Sequence, residues 1–243
     1  MNISTINIST NGLERSFIYR NDSEGDVGVI RQIFAELGYG RLEKWDQGKS
    51  FLNYYNKYAL EKNFLIVDAG ANIGASSVYF AMHYPDSTIF AIEPDFNNWH
   101  ILSLNTNSLN CINFHGAISN KVGELCLVDP GRSDWGFMTD EPNNKNVENI
   151  VKAIDIPYIL NYNENQYDPL ILKIDIEGGE DRLFKSDNDW LDKFPLVIIE
   201  LHDWMLPFKS NSKNFLKAIT KFDFEFVHYG ENLFFFNRKL LVN

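Results

Sequence analysis

The chain has 243 residues, with 22 Lys and Arg against 33 Asp and Glu, a formal net charge of −11 and 44% hydrophobic residues. A chain of this size buries enough apolar surface to hold a core without disulfides or a structural metal. Its acidic balance, with no stripe of Lys and Arg, excludes a phosphate-backbone footprint, so nucleic acid is not an expected partner.

Residues 1–60 carry the weaker patterns: a strand near Arg15–Tyr19, a helix from about Asp26 to Leu37, and an aromatic helix near Phe51–Leu60. They are expected to form a small N-terminal appendage (a lid, a dimer arm or simply core) ahead of a main domain over residues 61–243. Phe51, Tyr54, Tyr55 and Tyr58 fall at helical spacings. Such a stripe could cover an acceptor, but its plainer use is to fill core. The opening MNISTINIST has neither the basic nor the apolar region of a signal peptide. No apolar run reaches the ~18 residues of a membrane span. Cys111 and Cys126 form no CxxC pair, and two thiols in a long chain fit a reducing, cytoplasmic compartment.

From residue 64 onward, short apolar runs alternate with amphipathic stretches. Phe64–Val67 reads as a buried strand, Gly74–His83 as a helix, Thr88–Ile92 as a strand, and Asp95–Leu109 as a helix with Asp95 as its N-cap. Cys111–Phe114, Leu170–Asp175 and Leu196–Leu201 add further strands. Apolar strands separated by helices predict an α/β fold, a parallel sheet with helices on both faces. Residues 116–169 interrupt the alternation with a strand at Glu124–Val128, a loop over 129–147 and a strand over 148–154. Phe222–Val227 and Leu233–Phe236, with Gly230 between them, read as a final hairpin.

The segment with most chemistry is Asp68-Ala69-Gly70-Ala71-Asn72-Ile73-Gly74. Glycines let the chain turn tightly after a strand and let its backbone approach a ligand, and the helix that follows offers free N–H groups. The leading Asp68 would repel a pyrophosphate, so a dinucleotide fits poorly. S-adenosyl-L-methionine, with its ammonium and ribose hydroxyls, fits well. Glu93 ends the next strand nineteen residues beyond Gly74, close to the offset at which a carboxylate accepts from ribose hydroxyls.

Ile66–Gly74, Phe90-Ala91-Ile92-Glu93-Pro94, Ala117-Ile118-Ser119, Leu172-Lys173-Ile174-Asp175-Ile176-Glu177-Gly178-Gly179-Glu180 and Glu200-Leu201-His202 together resemble the motifs of the FkbM-type methyltransferases, over roughly residues 64–202. The resemblance implies a class I methyltransferase, Rossmann-like: seven mostly parallel strands, the last antiparallel, with S-adenosylmethionine at the carboxyl ends. It implies methylation of a hydroxyl on a sugar, glycan or natural product, leaving S-adenosyl-L-homocysteine. Carried onto this chain, Asp68, Gly70 and Asn72 hold the methionine end, with Ala69 and Gly74 completing the loop. Glu93 holds the ribose, Ala117 lies near the adenine, and Asp175 sits beside the transferring methyl.

Candidates for handling the acceptor's proton are Asp175, Glu177 and Glu180 after the fourth parallel strand and Glu200, His202 and Asp203 after the fifth. His202 is the expected general base, since imidazole titrates near working pH. Glu177 would orient the acceptor or assist, and Glu180 would cap a helix after Gly178-Gly179. Asp175, Glu177 and His202 could together coordinate a divalent cation, although no metal is the plainer expectation. Trp135 and Trp204 could stack on a sugar ring. Rival readings are nitrogen as the acceptor atom, a nicotinamide-dependent oxidoreductase, disfavoured by the missing GxGxxG, and a non-catalytic cofactor-binding protein. The acceptor and the oligomeric state are not written in the sequence.

Overall fold

The computed structural model describes residues 2–10, 12–128, 138–140, 149–164 and 167–242. The chain opens with a hairpin, β1 (Ile3–Thr10) and β2 (Leu13–Arg20), then α1 (Glu24–Ile30), which continues as a π turn over Arg31–Ala35, and α2 (Asp46–Tyr58). β1 is a strand where only β2 was expected, and it pairs with β2 along its full length. The alternating part follows as β3 (Phe64–Ala69), α3 (Ala75–His83), β4 (Thr88–Glu93), α4 (Phe96–Thr106) and β5 (Cys111–His115). Asp95 caps α4, its carboxylate accepting from the Asn98 N–H at 2.9 Å, which satisfies one of the free donors of the first turn.

Next come β6 (Ala117–Ile118), β7 (Gly123–Val128), β8 (Met138–Asp140), β9 (Ile150–Ile154) and α5 (Ile156–Leu160). Strands β6 to β9 form a separate four-stranded sheet in the order β6-β9-β7-β8. The expected loop over 129–147 therefore contains a strand, β8, which runs antiparallel to β7; most of that stretch, Trp135 included, lies outside the described residues. The chain closes with β10 (Asp168–Ile174), α6 (Glu180–Leu183), β11 (Leu196–Glu200), α7 (Lys213–Ile219), β12 (Phe224–Tyr229), β13 (Asn232–Asn237) and α8 (Arg238–Leu241).

The main sheet has seven strands in the order β12-β13-β11-β10-β3-β4-β5. β3, β4, β5, β10 and β11 pair in parallel, while β13 inserts antiparallel between β11 and β12. The turn before β13 places Gly230 at φ +62°, where a residue without Cβ fits best.

The period of two along each strand sorts its residues onto two cores. On one face Phe64, Ile66, Ile89, Ile171 and Ile198 pack with Val78 and Phe80 of α3 and Ile101 of α4. Phe17 of β2, Phe34 and Phe51 belong to this same core, so residues 1–60 share it with the sheet. The aromatic stripe of α2 fills core as well: Phe51 is fully buried, and Tyr55 packs edge-on to Tyr84. On the other face Leu65, Val67, Phe90, Leu172 and Ile199 pack with Ile159, Leu191 and Phe215. Among the described residues, no helix is long and apolar enough to cross a membrane.

Candidate active site

The carboxyl ends of parallel strands converge at one edge of the sheet, and open α/β sheets bind ligands there. A cavity of about 370 Å³ lies at that edge, within the ~300–1,000 Å³ of small-molecule sites. The turn after β3, the ends of β4, β10 and β11, and the N-terminal segment all contribute to its wall.

Gly70, Ala71 and Asn72 form the turn after β3. Gly70 sits at φ +78°, and a Cβ built on it would stand 1.7 Å from the Asp175 carbonyl oxygen, so the backbone of two adjacent strand ends meets here without side chains between. Asn72, also left-handed at φ +49°, donates its N–H to the Glu93 carboxylate at 2.9 Å. The other Glu93 oxygen accepts from the Asp95 N–H at 2.9 Å. Burial pushes the Glu93 carboxyl up to about 7, although these two N–H groups work against that shift.

Asp68 is placed differently from the expectation. It is fully buried beneath the loop, accepting from the Ser76 and Ser77 hydroxyls, each at 2.6 Å, and lying 3.1 Å from the Lys173 ammonium. Ala69 and Gly74 likewise stand behind the cavity wall: Ala69 accepts from the Asp175 N–H at 3.0 Å, and Gly74 caps α3. These three residues shape the loop, whereas Gly70, Asn72, Glu93 and Ala117 line the cavity.

Lys173 is the site residue that sequence reasoning passed over. It is 2% exposed and donates to the Gly70 carbonyl at 2.6 Å. Burial alone would lower its pKa, but Asp68, Tyr39 and Asp175 outweigh burial and hold it above the ordinary lysine value. The available signal was a charge inside an otherwise apolar run, Leu170-Ile171-Leu172-Lys173-Ile174, since a buried Lys requires a partner. Val29, Gln32, Ile33 and Tyr39 also line the cavity, and no motif in the sequence marks them.

At the far end of the cavity β10 and β11 bring Asp175, Glu177, Glu200 and His202 together. The His202 side chain is 1% exposed, and its Nδ1 pairs with Glu180 at 2.8 Å. Its Nε2 stands 3.6 Å from Asp175, 3.6 Å from Glu177 and 3.5 Å from Glu200. Burial lowers the imidazole pKa, but the Glu180 hydrogen bond and the carboxylates of Glu180, Asp175 and Glu177 win, raising it to about 9. Burial and Asp175 push Glu200 up to about 8 against the opposing pull of His202. Glu180 is not the cap of α6, whose N-cap is Gly179 without a side-chain bond: fully buried in the first turn, it holds His202 with one oxygen and accepts from the Asn211 amide with the other. Asp203 turns away and accepts from the Ser212 N–H at 3.0 Å. Trp204, 72% exposed, stands at the rim.

The loop after β3, Glu93 at the end of β4 and the Lys173–Glu180 segment all fall within the stretch that one family's profile covers. The profile of the methyltransferase FkbM domain matches residues 68–228. The chain belongs to the FkbM methyltransferase family. By family it is an S-adenosylmethionine-dependent methyltransferase. No curated protein matches it significantly.

Among solved structures, this FkbM chain is similar to precorrin-6y C5,15-methyltransferase from Geobacter metallireducens GS-15, at 11% identity over 77% of this chain and 86% of that one, TM-score 0.38. It is similar to TrmK from M. capricolum in complex with S-adenosyl-homocysteine, at 13% identity over 74% and 65% of the two chains, TM-score 0.35. It is also similar to TYW2 from M. jannaschii in complex with AdoMet, at 12% identity over 95% and 83%, TM-score 0.32. Likeness at this level has no bearing on the acceptor.

Proposed function

We propose that the chain transfers the methyl group of S-adenosylmethionine to a hydroxyl of a small-molecule, sugar or glycan acceptor. The observation that carries this reading is the continuity of one cavity, from the Gly70–Asn72 turn and Glu93 at one end to Asp175, Glu177 and His202 at the other. The residues present fit the cofactor. The close backbone approach at Gly70 leaves room for its methionine end, the Glu93 carboxylate suits ribose hydroxyls, and Ala117 offers a small apolar surface to the adenine. When bound, the cofactor supplies a methyl on sulfonium, open to in-line attack.

The chain's own residues then position the acceptor and manage its proton. Asp175 belongs to the His202 group by its carboxylate, while its backbone carbonyl closes against Gly70. The His202 ring is committed to Glu180 through Nδ1, and the carboxylates around it raise its pKa, so it is better suited to hold that group in place than to take the acceptor's proton. We therefore assign proton acceptance to Glu177, with His202 fixing the geometry of the carboxylates around it. The exposed face of Trp204 suits a sugar ring or another flat apolar acceptor. Residues 1–60 serve, in this reading, as one wall of the site through Val29, Gln32, Ile33 and Tyr39.

The test is calorimetric titration with S-adenosylhomocysteine, followed by a screen of hydroxylated acceptors for transfer of labelled methyl. Micromolar binding, with turnover lost but binding retained in Glu177→Gln, is the expected result. Absence of binding by folded protein would overturn the reading.

A further inference from the structure

The carboxylate group around His202 has the arrangement of a cation site. One oxygen each from Asp175 and Glu200 and one ring nitrogen of His202 all lie within 4.8 Å of one another. The Nε2 contacts of 3.5 and 3.6 Å are short enough for the ligand atoms to close on one shared cation at bonds of about 2.0–2.3 Å. The imidazole makes this more than a collection of acids. It is nine-tenths buried and more, its Nδ1 is committed to Glu180, and its Nε2 is aimed into the group without a hydrogen bond. A carboxylate on the far nitrogen is the usual way a metal-ligating histidine is oriented.

Charge points the same way. Asp175, Glu177, Glu180 and Glu200 surround a single imidazole. Among the described residues, the Lys173 ammonium beside this group is shared with Asp68 at 3.1 Å and the Gly70 carbonyl at 2.6 Å, and it stands 3.8 Å from Asp175. The group lies at the wall of the cavity, so a cation there is open to a ligand on its free side.

We propose that Asp175, Glu200 and His202 bind one divalent cation of the manganese or magnesium class, with Glu177 beside it and outside the coordination sphere. The two carboxylates suit these ions, and the imidazole favours manganese over magnesium; the ion displaces to solvent any proton on Nε2, and three protein ligands leave positions for water or an acceptor oxygen. Its chemical use rests on the methyltransferase reading: a cation lowers the pKa of a bound hydroxyl, and Glu177 then takes the proton. Its binding does not rest on that reading.

The experiment is titration of the full chain with Mn²⁺, followed by calorimetry and electron paramagnetic resonance. The expected result is one ion per chain, with spin-echo modulation from a coordinated imidazole nitrogen. Glu200→Gln and His202→Ala should each weaken binding at least tenfold, and His202→Ala should abolish the nitrogen signal. A parallel titration with S-adenosylhomocysteine shows that each variant is folded and separates the two claims. Variant-sensitive Mn²⁺ binding without S-adenosylhomocysteine binding would sustain the cation site and sink the methyltransferase reading. No Mn²⁺ binding at millimolar ion by protein that binds S-adenosylhomocysteine, or binding unchanged in both variants, would overturn the proposal.

Discussion

The Lys173 ammonium donates to the Gly70 carbonyl at 2.6 Å, tying the interior of β10 to the turn that opens the cavity. The same ammonium faces Asp68 at 3.1 Å, so one buried cation joins the loop's anchor to the loop itself. Removing one partner of a buried ion pair leaves the other uncompensated, which costs about 3–5 kcal/mol. Lys173→Met should therefore lower stability by that order in denaturant unfolding and loosen the loop. Adding Asp68→Asn to it should recover part of the loss. Equal stability of Lys173→Met and wild type would show that the pair contributes nothing.

Gly70→Ala should disable the site. The left-handed φ of +78° is costly for any side chain, by about 1–3 kcal/mol, and the added Cβ would meet backbone, the Asp175 carbonyl, at 1.7 Å. The loop must move to accommodate it. Calorimetry should find S-adenosylhomocysteine affinity reduced by two orders of magnitude or more, while circular dichroism still reports the sheet. Wild-type affinity in this variant would refute the tight approach of the two strand ends.

Glu93 sets a pH dependence. Its pKa is raised from 4.5 to about 7 by burial, so the folded state holds the proton more tightly than the unfolded chain. Its contribution to stability is present below pH 4.5 and is lost as pH rises through about 7. Ribose hydroxyls donate best to the ionised form, so cofactor affinity runs the other way. It should fall by up to about tenfold for each pH unit below 7 and level off above. Glu93→Gln should flatten that slope. A slope unchanged in the variant would assign the dependence to another group.

Phe17 tests whether residues 1–60 are separable. It is fully buried in the core that β3, β4 and α3 share. A Phe→Ala change at such a site costs about 3–5 kcal/mol. Phe17→Ala should lower the midpoint of a single unfolding transition followed by tryptophan fluorescence. Two transitions, with only the first shifted, would make the N-terminal segment an independent unit.

Much of the fold was legible because strands buried on both faces read as continuous apolar runs. Phe64–Val67, Thr88–Ile92 and Leu196–Leu201 needed no tertiary information, and Asp95 marked the start of α4 by its own capping chemistry. Strand β1 was not legible, because ISTINIST alternates small polar residues with isoleucines that are half exposed or exposed, Ile8 apart. Its pairing with β2 exists only once the hairpin closes.

The site divides along the same line. Glycine positions and strand-end carboxylates announce a cofactor loop locally, since turn geometry and helix termini depend on neighbours in sequence. Which way a side chain faces is settled by packing. Asp68 lies under the loop because Lys173, from a strand about a hundred residues away in sequence, needs a buried counter-charge. The raised pKa of His202, after β11, depends on Glu180, Asp175 and Glu177, which follow the neighbouring strand β10. By itself the sequence determined the sheet, the loop and the family; only the tertiary structure decided the charge balance, because Coulomb energies follow distance through space rather than along the chain.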